Sequence, residues 1–106
     1  MPYIKPETRE HIEEEIKALA DKIHAVTSTS GALDGTLNYT VCRLMALLYP
    51  EESYYNYNRQ IGALECVKME LYRRRVGPYE HTKIEENGDV EGWSAPDWEE
   101  GDSNDG

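Results

Sequence analysis

The groups best suited to chemistry in this chain gather in one stretch, Lys68, Tyr72, Arg73, Arg74, Arg75 and Tyr79. Guanidinium groups fork onto carboxylates and phosphates, and tyrosine presents an apolar ring with a polar tip, so the pattern suits an anionic ligand or an acidic protein segment. The three arginines also fall in the expected last turn of a helix, where the dipole favours cations and their side chains cap free carbonyls. That account is sufficient for one or two of them without any ligand. Successive residues of an α-helix point about 100° apart, so two of the three can face one ligand and all three cannot. A second tyrosine cluster, Tyr54, Tyr55 and Tyr57, precedes the first by ~16 residues, or about 24 Å of helix, too far for one small pocket within a monomer.

Elsewhere no catalytic residue, metal-ligand set or cofactor motif stands out. Glu13 faces Lys17, Glu65 faces Lys68 and Glu70 faces Arg74 at the helical spacings that make ordinary surface ion pairs. A metal-dependent nucleotide hydrolase needs a quartet of carboxylates across two helices, and only a fragment of one is present. His11, His24 and His81 lack a metal-binding spacing. Cys42 and Cys66 form no CxxC pair and are expected to be reduced thiols.

The 106 residues, 39% hydrophobic and 30% charged, amount to one domain with a modest core. Eleven Lys and Arg against 21 Asp and Glu give a net charge of −10, which argues against non-specific DNA binding. No apolar run approaches the ~18 residues of a membrane span, and no basic segment followed by an apolar stretch opens the chain, so a cytoplasmic protein is expected. Residues 91–106 hold Glu91, Asp97, Glu99, Glu100, Asp102 and Asp105 without a Lys or Arg, and read as a disordered acidic tail. Within it Trp93 and Trp98 are spaced aromatics able to dock on a basic surface.

The elements follow from spacing. Ile12, Ile16, Leu19, Ile23 and Val26 make one stripe, placing a helix at about residues 6–26 with Pro6 in its first turn. Leu37, Val41, Leu44, Met45 and Leu48 mark a second helix at 34–49, begun by Asp34 and ended by Pro50. Capped by Ser53, a third runs through Tyr57, Ile61, Leu64 and Leu71 over 53–76 until Val76-Gly77-Pro78 stops it. Gly62 inside it costs about 1 kcal/mol relative to Ala, which predicts the close approach of another helix. Beyond Pro78 the pattern weakens into an extended arm with a turn at Asn87-Gly88 that leaves a hairpin open. The expected fold is all-α: a small three-helix bundle over 1–90, an extended C-terminal arm, then the tail.

Several blocks carry a resemblance: Met1-Pro2-Tyr3-Ile4, Leu37-Asn38-Tyr39, the run from Ile61 to Arg74 (IGALECVKMELYRR), Pro78-Tyr79-Glu80, and Lys83 to Val90 (KIEENGDV). Together they resemble a family of short uncharacterised proteins from bacteria, archaea and their viruses, over about residues 1–90, with the acidic tail as an extension. The resemblance implies a viral or mobile-element setting, where host interaction or small-ligand sequestration is plausible; it brings no catalytic residues.

The expectation is therefore a non-enzymatic helical binding module that engages an anionic partner, whether a nucleotide, a nucleic-acid backbone or an acidic protein segment, its own tail included. The site would comprise Lys68, Tyr72, Arg73, Arg74, Arg75 and Tyr79. A homodimer would help so small a core and could build a composite pocket. Two other classes remain: an acidic nucleic-acid mimic or host-factor inhibitor, whose carboxylates would share one face, and a small metal-dependent nucleotide hydrolase, whose carboxylates would converge in a cleft.

Overall fold

The computed structural model describes residues 2–93. Their order is α1 (Pro6–Glu10), α2 (Glu13–Thr27), α3 (Leu33–Leu48), α4 (Tyr54–Leu71), a π-helical turn (Tyr72–Val76) and α5 (Gly77–Asn87). The chain is all-α, with no strand among the described residues. It divides into two units, Met1–Val67 and Lys68–Gly106, whose boundary falls within α4. Among the described residues no helix is long and apolar enough to cross a membrane.

In the first unit, the single helix expected at 6–26 is broken after Glu10. The N–H groups of His11 and Ile12 bond to Thr8 and Arg9, three residues back, which tightens the turn. The helix resumes at Glu13, where Glu13, Glu14 and Glu15 occupy the first turn of α2. Three carboxylates at a helix start favour the positive end of the dipole, so these residues support a new N-terminus rather than a solvated mid-helix face. Thr27 closes α2 by donating to the carbonyl of Ile23 at 2.6 Å. Gly31, at φ +66, then takes the left-handed conformation that the connection to α3 requires.

α2 and α3 pack against each other as a helical hairpin. α3 starts at Leu33 with Ala32 at the cap position, so Asp34 lies in the first turn and acts on the dipole instead of capping. At its other end, the Tyr49 N–H bonds to the Met45 carbonyl, and Pro50 cannot continue the helix. Ser53 caps α4 as its residue type predicts: its Oγ accepts from the Asn56 N–H at 3.0 Å and its carbonyl from the Tyr57 N–H.

The apolar stripes form where their spacing places them, but no apolar side chain is buried among the described residues. Thr27 is the buried residue, and Ile12, Ile16, Leu19 and Val26 remain exposed beside a half-buried Ile23. The three stripes thus share no buried apolar core among the described residues of the first unit. Nor does a described atom beyond its own helix backbone and chain neighbours lie within 4 Å of a Cβ built on Gly62, so the helix approach expected there is not seen among the described residues.

In the second unit, the largest departure from expectation is that Val76-Gly77-Pro78 does not stop the helix. In an uninterrupted α-helix the Pro78 ring would press on the Arg74 carbonyl, four residues back. Here the preceding turn widens: the Gly77 N–H reaches the Tyr72 carbonyl five residues back, the π-helical bond, and Pro78 becomes an early residue of α5. A Cβ built on Gly77 would meet the Tyr72 carbonyl oxygen at 3.4 Å, an ordinary contact, so the turn's geometry does not by itself demand glycine there. The extended arm is therefore corrected to a helix over Gly77–Asn87. Its Asn87-Gly88 pair is not a hairpin turn but the helix stop, with Gly88 at φ +89 and its N–H bonded to Ile84 at 2.8 Å. Of the expected acidic tail, residues 91–93 are described and 94–106 lie outside the described residues.

Candidate functional site

The second unit contains all six expected site residues, and the π-helical turn decides how they are presented. Because the helix continues to Asn87, Arg73, Arg74 and Arg75 are not in a final helical turn. The helix dipole therefore does not account for their placement, since their neighbouring carbonyls belong to an ongoing helix. A π turn also spaces successive side chains by less than the ~100° of an α-helix, bringing the three guanidinium groups onto a narrower arc.

Two hollows flank the turn. One, of about 490 Å³, is lined by Tyr72, Tyr79, Trp93, Lys83 and the carboxylates Glu80 and Asp89 among others. The second, of about 400 Å³, is lined by Lys68, Met69, Glu70, Tyr72 and Arg73. Tyr72 borders both, so Lys68, Tyr72, Arg73 and Tyr79 are brought to neighbouring walls, whereas Arg74 and Arg75 line neither. Trp93 reaches its wall through a tight turn in which its N–H bonds to the Val90 carbonyl at 2.9 Å. The three rings are accessible, with Tyr72 57%, Tyr79 63% and Trp93 74% exposed.

Polar contacts hold the rings in place. The Tyr72 hydroxyl donates to Glu80 Oε1 at 2.6 Å, joining the π turn to α5. That hydrogen bond, reinforced by the carboxylate charge, raises the Tyr72 pKa above its ordinary value, because ionisation would remove the donated proton and set two anions side by side. Lys83 Nζ stands 5.6 Å from the Tyr79 ring centroid and pairs with Glu86 at 3.3 Å. Arg73 pairs with Glu70 through one Nη, at 2.9 and 3.0 Å from the two carboxylate oxygens. With the Arg73 side chain 64% exposed, that pair contributes at most about 1 kcal/mol. Arg75 makes no ion pair or hydrogen bond among the described side chains.

The first unit holds an arrangement that spacing along one helix does not reveal. Arg59 lies 5.2 Å from the Tyr49 ring centroid and 5.4 Å from that of Tyr55, so one cation stacks on rings from either side of the α3–α4 turn. Arg59 Nη1 also donates to Asn56 Oδ1 at 3.4 Å, and Asn56 Nδ2 donates to the Glu51 carbonyl at 3.1 Å. The available signal was the aromatic density around Arg59, but Tyr49 precedes Pro50 and Tyr55 follows Ser53, so their meeting depends on the turn. Tyr57 donates to Glu52 Oε1 at 3.1 Å, which raises its pKa for the same reason as at Tyr72. Among the described residues, no three His, Cys, Asp or Glu side chains are grouped to hold a metal ion.

Neither the curated proteins nor the solved structures provide a match to this chain. Residues 1–90, a range that contains both Tyr72 and Tyr79 and stops short of Trp93, match the family described as a domain of unknown function, DUF6899, and the chain belongs to that family.

Proposed function

We propose that this protein is a non-enzymatic helical binding module, assembled as a homodimer, that captures an acidic protein segment on the face of the π turn and α5. The observation that carries the reading is the exposed wall shared by Tyr72, Tyr79 and Trp93. Accessible Tyr and Trp rings with nearby Arg are the side chains that contribute most at protein interfaces, where rings supply area at little entropic cost and guanidinium forks take carboxylates. Lys68, Arg73, Arg74 and Arg75 supply the charge. A net charge of −10 favours a local, ring-assisted contact with an acidic peptide over tracking a nucleic-acid backbone. The same proposal keeps the cytoplasmic location expected from the sequence and, on the resemblance given above, a viral or mobile-element setting.

Trp93 fluorescence of the Trp98→Phe chain, titrated with a poly-glutamate peptide, tests the reading, with oligo-dT and ATP run in parallel. The expected result is saturable quenching or enhancement by poly-glutamate that weakens as salt rises and falls at least about tenfold in affinity with Arg75→Glu. Preference for oligo-dT or ATP would move the site to nucleic acid or nucleotide, and no response to any of the three would reject an anion site.

A further inference from the structure

We infer that the acidic tail, residues 94–106, folds back within its own chain onto the Arg75 end of the π turn and occupies the anion locus until a partner displaces it. The contact rests on the anion locus of the proposed function and regulates access to it. It lies wholly within the second unit, which runs from Lys68 to Gly106. The α3–α4 groove of the first unit is larger, about 600 Å³ with Val41, Tyr57 and Ile61 among its walls, but nothing there points to an occupant. At the π turn the occupant is covalently attached.

Charge gives the direction. Between Lys68 and Arg75 the sequence holds four cations, Lys68, Arg73, Arg74 and Arg75, against Glu70. Between Glu80 and Glu91 it holds five carboxylates, Glu80, Glu85, Glu86, Asp89 and Glu91, against Lys83. Residues 94–106 add five carboxylates and no Lys or Arg. A tail that leaves from the acidic end of α5 is repelled there and drawn toward the basic end, by forces that act within a Debye length of about 8 Å and so favour close docking. Arg75 is the cation best placed to receive it. Its side chain is exposed and makes no ion pair or hydrogen bond among the described side chains, whereas Arg73 already pairs with Glu70 and Lys83 with Glu86.

Reach makes the contact intramolecular. Gly88 and Gly92, at φ +89 and +91, turn the chain after α5, and Trp93 comes to the hollow that Tyr72 and Tyr79 also line. Arg75 precedes Asn87 by ~12 residues of helix, about 18 Å of axis. About six residues of extended chain cover that distance, and Glu99 and Glu100 are the sixth and seventh after Trp93. Trp98, beside them, adds a ring on which a guanidinium can stack. So short a tether holds the carboxylates at an effective concentration in the millimolar range. Against a contact with a dissociation constant of about 0.1 mM, about 1 mM of tethered tail lowers the apparent affinity for a separate acidic peptide roughly tenfold.

Two measurements on the full-length chain test the inference. In the first, the Trp98→Phe chain is titrated with poly-glutamate before and after the tail is neutralised by Asp97→Asn, Glu99→Gln, Glu100→Gln, Asp102→Asn and Asp105→Asn. Neutralisation should tighten binding roughly tenfold. In the second, NMR of the isotope-labelled chain follows the backbone amides of Glu99, Glu100 and Asp102, which Arg75→Glu should move and Arg75→Gln should move in the same direction. Arg43→Glu, the same charge change in the first unit, should leave them in place. Poly-glutamate binding of equal strength with and without the tail charges overturns the inference. So do tail amides that Arg75→Glu leaves in place, that Arg43→Glu moves equally, or whose positions vary with protein concentration, as contact with a neighbouring copy's tail requires. If poly-glutamate binds neither chain while Arg75→Glu moves the tail amides, capture of a separate segment fails and the tail contact stands.

Discussion

Pro50 and Pro78 each follow a helix rich in apolar residues, yet one ends its helix and the other is carried through. Before Pro50, Tyr49 leaves helical geometry at φ −127 and ψ 70, and three residues beyond that proline Ser53 is ready to cap a new helix. Before Pro78 the turn widens by one residue, with the Gly77 N–H reaching the Tyr72 carbonyl, and the Tyr72–Glu80 bond ties the widened turn to the helix beyond. A proline therefore stops a helix when a cap waits downstream, and re-registers it when the preceding turn can expand. The first outcome produces a groove between two helices in one unit; the second produces a ring-lined face along one helical segment in the other.

Substitutions at these junctions would break or sharpen the contrast. The largest effect is expected at Gly88, whose φ +89 and ψ 156 lie in a region essentially confined to glycine. Gly88→Ala should cost about 1–3 kcal/mol of local stability and fray the end of α5, read as lost amide protection around Ile84. Ser53→Ala should cost about 1 kcal/mol in chemical denaturation by leaving the Asn56 N–H without its cap, loosening the turn on which the α3–α4 groove depends.

Gly62→Ala runs in the opposite direction. With open space around the added methyl, it should stabilise by up to about 1 kcal/mol through helix propensity. The smallest effect is the titration of Tyr72. Its folded pKa is raised, so the associated stability is fully present below the unfolded value of about 10 and is lost as pH rises through the folded value. Glu80→Gln should return the Tyr72 titration toward about 10, seen as the tyrosinate absorbance difference between matched proteins with and without Tyr72→Phe.

Much of this arrangement was legible in the residues. The alternating spacings give the helical character of α2, α3 and α4, Ser53 acts as the cap it resembles, and Pro50 ends α3. Trp93, marked as an unusual aromatic in an acidic stretch, lines the ring-bearing wall. What was not legible depends on competition between nearly equal local states. Gly77-Pro78 is the same signal whether a helix stops or widens, and the choice rests on a Tyr72–Glu80 bond spanning eight residues. The break at His11 and Ile12 turned on whether Glu13, Glu14 and Glu15 face solvent in mid-helix or found a new N-terminus. Apolar spacing shows which face a helix would bury, but not what covers it, and Ile61, Leu64 and Leu48 are exposed here.

The proposal on which the account turns is that this protein assembles as a homodimer. The most direct measurement is the thermal melt of the full chain, followed by circular dichroism over a hundredfold range of dilution. Coupled folding and assembly predicts a melting temperature that falls steadily with dilution, by mass action. A single cooperative melt at a temperature independent of concentration would contradict it.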